Sequence, residues 1–127
     1  MQNCNVKSKN DIQKRSYDYV VRVIKMLDKI PKDTSTEIMT KQLLRSATSV
    51  GANIVEAQAS SSRRDFTNFL THSLKSANES KYWLGLLRDT GKLSSEELRC
   101  IEKETEELAN ILGASIITLK SKKNFKF

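Results

Sequence analysis

Glycine and proline are scarce in this chain, with four Gly and one Pro in 127 residues. Strand-and-turn folds need frequent turn residues, so the scarcity argues against them; with 38% hydrophobic residues it favours an all-α protein. Long apolar runs are missing as well. Nothing approaches the roughly 18 to 20 residues that cross a bilayer, and MQNCNVKSKN has no apolar signal-peptide core, so a soluble, cytoplasmic protein with no membrane partner is expected. The two cysteines, Cys4 and Cys100, have neither metal-ligand spacing nor the density of a disulfide scaffold, and two reduced thiols are expected.

Chemistry-bearing groups are equally sparse. The single histidine is His72, and Phe69 stands three residues before it, so the Glu-x-x-His pattern of metal-binding bundles is absent. No Ser-His-acid set can be assembled. Gly51, Gly85, Gly91 and Gly113 are isolated, which excludes a Gly-rich phosphate loop. A non-enzymatic protein with no metal and no cofactor follows, His72 being a surface or interface residue.

What is present is helical period. Tyr17, Val20, Ile24 and Leu27, with Val23 and Ile30 beside them, predict a helix over about 11–30, stopped by Pro31. Thr34-Ser35-Thr36-Glu37 has capping-box form and opens a helix over about 35–59. Ser62 and Asp65 cap a third, over about 64–89, with Phe66, Leu70, Ser73, Ala77, Leu84 and Leu87 along one stripe. Gly91 suits the left-handed position past its end. Ser94-Ser95-Glu96-Glu97 opens a fourth, over about 95–120, with Leu98, Ile101, Leu108, Leu112, Ser115 and Leu119 inward. Short breaks make neighbours antiparallel, so the expectation is one domain: an up-down-up-down four-helix bundle between a flexible extension, 1–10, and a basic tail, 121–127.

Lys and Arg number 22 against 15 Asp and Glu, a formal charge of +7. Up-down topology gathers Lys7, Lys9, Lys14, Arg15, Arg63, Arg64, Lys120, Lys122, Lys123 and Lys126 at one pole, against Asp11, Glu56 and Asp65; ten minus three equals the whole excess of +7. A concentrated basic pole attracts polyanions, RNA or DNA. In the tail KSKKNFKF, Phe125 and Phe127 alternate with lysines and can stack on bases. The alternative is a solvated tail that aids solubility.

RSATSVGANIVEA, residues 45–57, holds residues that a helix interior would not choose. At 100° per residue, Leu43, Ala47, Val50, Ile54 and Ala57 form the core stripe. Ser46, Ser49, Asn53 and Glu56 form a second stripe about a quarter turn away, and Leu44, Gly51 and Val55 lie on the other side. Glu79 and Trp83, with Tyr82, widen the third helix in the same way. Aromatic flanks of this kind anchor interfaces, so Ser46, Ser49, Asn53, Glu56, Glu79, Tyr82 and Trp83 are candidate interface residues. A helix crossing inside one bundle is the competing explanation.

Arg45, Ser46, Ser49, Asn53-Ile54-Val55-Glu56-Ala57, Ser62, Asp65-Phe66, Glu79-Ser80 and Tyr82-Trp83-Leu84 together resemble the four-helix-bundle family of 23S ribosomal RNA intervening-sequence proteins, also called S23 ribosomal proteins, over about residues 15–120. That family is similar in fold to the accessory protein of diversity-generating retroelements, a basic helical bundle that forms a pentameric barrel. The resemblance implies a homopentamer with a basic surface. The leading expectation is therefore a homo-oligomeric, nucleic-acid-associated protein, with Lys14, Arg15, Arg63, Arg64, Lys120, Lys122, Lys123 and Lys126 as the binding residues. The runner-up is an oligomeric protein-docking scaffold with an unknown protein partner.

Overall fold

The computed structural model describes Cys4 and residues 11–121. The described residues form four helices and no strand: α1 (Ile12–Leu27), α2 (Thr34–Ala59), α3 (Arg63–Asp89) and α4 (Glu96–Ser121). The expected all-α fold is present.

Each boundary has a local cause. Asp11 caps α1 by accepting from the Lys14 N–H at 3.0 Å. α1 ends at Leu27 and the chain leaves it through a turn at Asp28–Lys29, ahead of Pro31, whose ring disfavours helical backbone in the residue before it. At α2 the cap is Asp33, one residue before the expected box: its carboxylate accepts from the Thr36 N–H at 2.9 Å, and a carboxylate at a helix start outcompetes the Thr34 hydroxyl. Ser62 accepts from the Asp65 N–H at 3.0 Å, as its spacing predicts. α3 closes in a Schellman motif: Gly91, at φ +73°, donates to the Arg88 carbonyl and Lys92 donates to that of Leu87. Ser95 then accepts from the Leu98 N–H at 3.0 Å to start α4.

Contacts between helices set the topology. Arg15 meets Glu104 while Arg22 meets Glu97, so α1 and α4 run antiparallel. Ser46 meets Ser80 while Ser73 donates to the Val50 carbonyl, so α2 and α3 do too. Lys81 with Glu106 and Arg88 with Glu102 give the same result for α3 and α4. The helices therefore stand in a ring, α1 beside α2 and α4, with α1 and α3 across one diagonal and α2 and α4 across the other.

α1 has 16 residues where its neighbours have 26 or 27, which makes it about 24 Å long against about 39 Å. It reaches only the lower tier of the bundle, from the α1–α2 and α3–α4 loops to the level of Glu104 and Glu107. Above that level the core is built by α2, α3 and α4 alone. Two apolar clusters follow this division. Tyr19, Val23, Met26, Leu43, Leu84, Leu87, Leu98 and Ile101 belong to the four-helix tier. Val50, Ile54, Leu70, Ala77, Leu112 and Ile116 belong to the other, where Ile12 provides α1's contact.

Between the tiers lies a layer of hydroxyls, one from each helix. Tyr19 Oη is 2.8 Å from Thr105 Oγ1, and Ser46 Oγ is 2.8 Å from Ser80 Oγ; all four residues are at most 1% exposed. The buried polar side chains of the described residues all have partners.

Two expectations fail here. α1 turns a different face inward: Tyr19, Val23, Met26 and Leu27 are buried, whereas Tyr17 is 68% and Ile24 39% exposed. The apolar periodicity of α1 is broad enough for two phases, and the ion pairs of Arg15 and Arg22 with α4 select the one about a quarter turn away. The cysteines are not free thiols: Cys4 and Cys100 form a disulfide with a Cα–Cα distance of 5.2 Å, linking positions 96 apart in sequence. Residue spacing cannot announce a pairing that depends on where the chain before α1 crosses α4.

Candidate nucleic-acid interface

At the upper pole the α2–α3 turn meets the end of α4. Ser60 and Ser62 are extended, which turns the chain sharply between two long helices. The Arg63 guanidinium donates to the Leu119 carbonyl, so the start of α3 is tied to the last turn of α4. This satisfies one of the orphan carbonyls of α4 with a cation at its negative end. Arg64 and Lys120 are exposed beside it. A hollow of about 290 Å³, lined by Gln58, Ser60, Ser61, Ser62, Arg63 and Phe66 among others, opens at the same place.

The other expected basic residues are elsewhere. Lys14 is exposed and pairs with Asp18 at 3.0 Å, one helical turn on. Arg15 is 7% exposed, with Nε 2.7 Å and Nη2 2.9 Å from the two oxygens of Glu104, and Nη2 also reaches Glu107. The hydrogen bond to Glu104 raises the pKa of this guanidinium, and its charge is fully matched inside the protein. The helix level of Glu104 to Glu107 is roughly 20–24 Å of axis from Lys120. Lys14 and Arg15 thus leave the expected pole, because α1 is too short to reach it. Lys7, Lys9, Lys122, Lys123 and Lys126, with Phe125 and Phe127, lie outside the described residues.

The candidate seam on α2 faces α3. Ser46 is bonded to Ser80 and is 1% exposed. Ser76 donates to Ser49 Oγ at 2.8 Å, and the Asn53 amide donates to the Ser49 carbonyl and hydroxyl, both at 2.9 Å. Small hydroxyl residues here let two helices approach closely, and the crossing inside one bundle accounts for Ser46 and Ser49, whereas the Asn53 amide bonds back to its own helix. Glu56 is exposed. Glu79 accepts from the Trp83 indole at 3.1 Å and from Arg45 at 3.2 Å, while Tyr82, 60% exposed, stands edge-on to Trp83 with ring centroids 5.0 Å apart. Glu79, Tyr82 and Trp83 therefore form a cluster at the edge of α3, with Tyr82 exposed and Trp83 packed partly against the core, and His72 is exposed on the same helix.

The rotated phase of α1 brings Tyr17 to the surface, beside residues of α2 that flank its core stripe. Tyr17 and Val20 of α1, with Thr48, Gly51, Ala52 and Val55 of α2, line a groove of about 590 Å³ on the outer α1–α2 face. Leu44, 38% exposed, and Ile24, also exposed, belong to the same two helices. The only hint in the sequence was the breadth of the apolar arc around Leu44, Gly51 and Val55.

The molecule is thus an antiparallel four-helix bundle with a short first helix, with Arg63, Arg64 and Lys120 at one end and an apolar groove on one side. No helix of the described residues is long and apolar enough to cross a membrane. The chain belongs to the 23S rRNA-intervening sequence protein family, whose sequence profile matches residues 8–114. It is similar to a crystallised protein of unknown function from the S23 ribosomal protein family of Bacteroides thetaiotaomicron VPI-5482. The two are 37% identical and superpose with a TM-score of 0.76 over 84% of this chain and 98% of that one. No curated protein matches the sequence.

Proposed function

We propose that this is a non-enzymatic, homo-oligomeric bundle protein that associates with RNA through the pole formed by the α2–α3 turn and the end of α4. The observation that carries the reading is the tie between Arg63 and the Leu119 carbonyl, which holds Arg64 and Lys120 at one place. Arg63, Arg64 and Lys120 face Glu56 and Asp65 there, three cations against two anions; Lys122, Lys123 and Lys126 follow Lys120 in sequence, making six against two. The family's name, that of proteins linked to 23S rRNA intervening sequences, agrees with an RNA partner.

Oligomerisation rests on the outer α1–α2 groove, whose exposed Tyr17 and Val55, with the exposed Ile24 and Leu44 of the same two helices, a monomer would leave wet. The family resemblance implies five copies. Five chains at +7 each would carry +35, and repeated weak contacts then add as avidity. The cluster of Glu79, Tyr82 and Trp83 is a second surface available to a neighbouring subunit.

The test is binding of a structured RNA fragment across a salt series, with light scattering on the same preparation. Arg64, Lys120, Lys122 and Lys123 are replaced together by Gln, leaving the structural Arg63 in place. Binding is expected to weaken steeply with salt and to lose up to four counterions' worth of slope in the variant. Unchanged binding in the variant, or no binding by the parent at low salt, overturns the RNA reading. Scattering at the monomer mass overturns the oligomer. Retention of a specific protein after nuclease treatment, with no RNA affinity, would establish the scaffold reading instead.

A further inference from the structure

Cys4, Glu96 and Cys100 bring three potential ligand atoms, two sulfurs and a carboxylate oxygen, within 4.8 Å of one another. Glu96 and Cys100 are i and i+4 on α4, the spacing at which one helix face offers two ligands to a single ion. Cys4 reaches the same point from a segment outside the bundle. Cys100 is 1% exposed, Cys4 half-buried, and the Glu96 side chain 42% exposed, so the cluster has a protein floor and an open outer side. Arg99 donates to Glu96 Oε1, which leaves Oε2 for another partner.

We propose that, once the disulfide is reduced, Cys4, Cys100 and Glu96 form a Zn²⁺ site with one open position for water. Two thiolates and a carboxylate suit this borderline-soft ion, and three protein ligands plus an open position is the pattern of an accessible zinc centre. Metal and disulfide exclude each other, because both use the same two sulfurs. A dithiol reductant transfers two electrons and two protons, giving two protein thiols and its own disulfide. Zn²⁺ then displaces the two thiol protons as both Zn–S bonds form. A disulfide-class oxidant reverses the sequence: its own S–S bond breaks as it takes two electrons from the thiolates and two protons from water to become two thiols, the protein S–S bond re-forms, and Zn²⁺ is released. The inference is independent of RNA binding.

The full-length protein, reduced by a dithiol that is then removed under inert gas, is titrated with Co²⁺ as a spectroscopic probe and then with Zn²⁺ against a competing chelator. The expected result is one ion per chain, with thiolate-to-cobalt charge-transfer bands that Zn²⁺ abolishes. The untreated disulfide form should show no such bands. Cys4→Ser is the principal variant, since Cys4 lies outside the helices and its loss spares the core. It should abolish the thiolate bands of the two-sulfur site and weaken Zn²⁺ binding by more than about tenfold, and Glu96→Gln should weaken it by about tenfold or more. Absence of thiolate bands in the reduced parent, equal binding by the disulfide form, or unchanged Zn²⁺ affinity in Cys4→Ser would each overturn the proposal.

Discussion

The hydroxyl of Tyr19 lies 2.8 Å from Thr105 Oγ1, at the junction between the four-helix tier and the three-helix tier. Thr105 in turn donates to the Ile101 carbonyl at 2.7 Å, so the pair is anchored to the backbone of α4. Ser46 and Ser80 complete a polar stratum beside it, each also bonded to a carbonyl of its own helix. The Tyr19 hydroxyl has its partner on α4, so a shift of α1 against α4 by a turn would strand a buried hydroxyl, which costs about 1–3 kcal/mol.

Burial pushes the Tyr19 phenol up to about 12, with its hydrogen-bonding interactions with Thr105 and Ser80 acting in the opposite direction. In the unfolded chain the phenol titrates near 10, so the folded state holds its proton more tightly. This contribution to stability is complete below about pH 10 and falls as pH rises from there through about 12, by roughly 2–3 kcal/mol in all. Urea titrations across this range should show the decline, and Tyr19→Phe should remove this part of it at a cost of about 1 kcal/mol at neutral pH.

Arg15 acts as a structural cation. Arg15→Ala leaves Glu104, itself 6% exposed, buried without its partner and should cost about 3–5 kcal/mol. Arg64→Ala, on the exposed pole, should stay within about 0.5 kcal/mol of the parent. Urea unfolding of both variants checks the contrast, and equal small effects would place Arg15 back among surface residues.

The Asp33 carboxylate is held well below the usual carboxylate range by the hydrogen bond from the Thr36 side chain, then by the Thr36 N–H, and by Lys92. A depressed acid stabilises the fold above its unfolded value near 4, and that contribution disappears as pH falls through the folded value. Asp33→Ala should lower Tm by a few degrees at pH 7, through loss of the α2 cap and the link to Lys92 at 2.9 Å. The difference between parent and variant should begin to narrow below about pH 4 and close only in strongly acidic solution, well below the ordinary carboxylate range, as thermal melts at a series of pH values would show.

Reduction of Cys4–Cys100 in the presence of a chelator should destabilise the protein. The linked positions are 96 apart, and closing a loop of this size is worth about 4–5 kcal/mol as an upper bound. Differential scanning calorimetry with and without a dithiol gives the shift; no change in Tm would mean that the link constrains little of the unfolded chain.

Much of the architecture is readable from local chemistry. Ser62 and Gly91 mark helix ends because capping and left-handed backbone depend on residues a few positions apart, and the α2 stripe of Leu43, Ala47, Val50, Ile54 and Ala57 is buried as its period requires. Where two local signals compete, the reading slips by a residue, as it does between Thr34 and Asp33. The site is less readable. Arg15 and Arg64 look alike as letters in a basic chain, and only the arrival of Glu104 and Glu107, about ninety positions later, separates the buried cation from the exposed one.

Local patterning is enough for the four helices, their breaks and their antiparallel order, because each rests on periodicity and caps within a few residues. Tertiary structure decided which face α1 buries, how far along the bundle it reaches, and that Cys4 meets Cys100. It also decided that Ser46 turns to Ser80 while Tyr17 and Val55 remain outside. These outcomes depend on partners brought together from distant parts of the chain, whose pairing energies no local pattern contains.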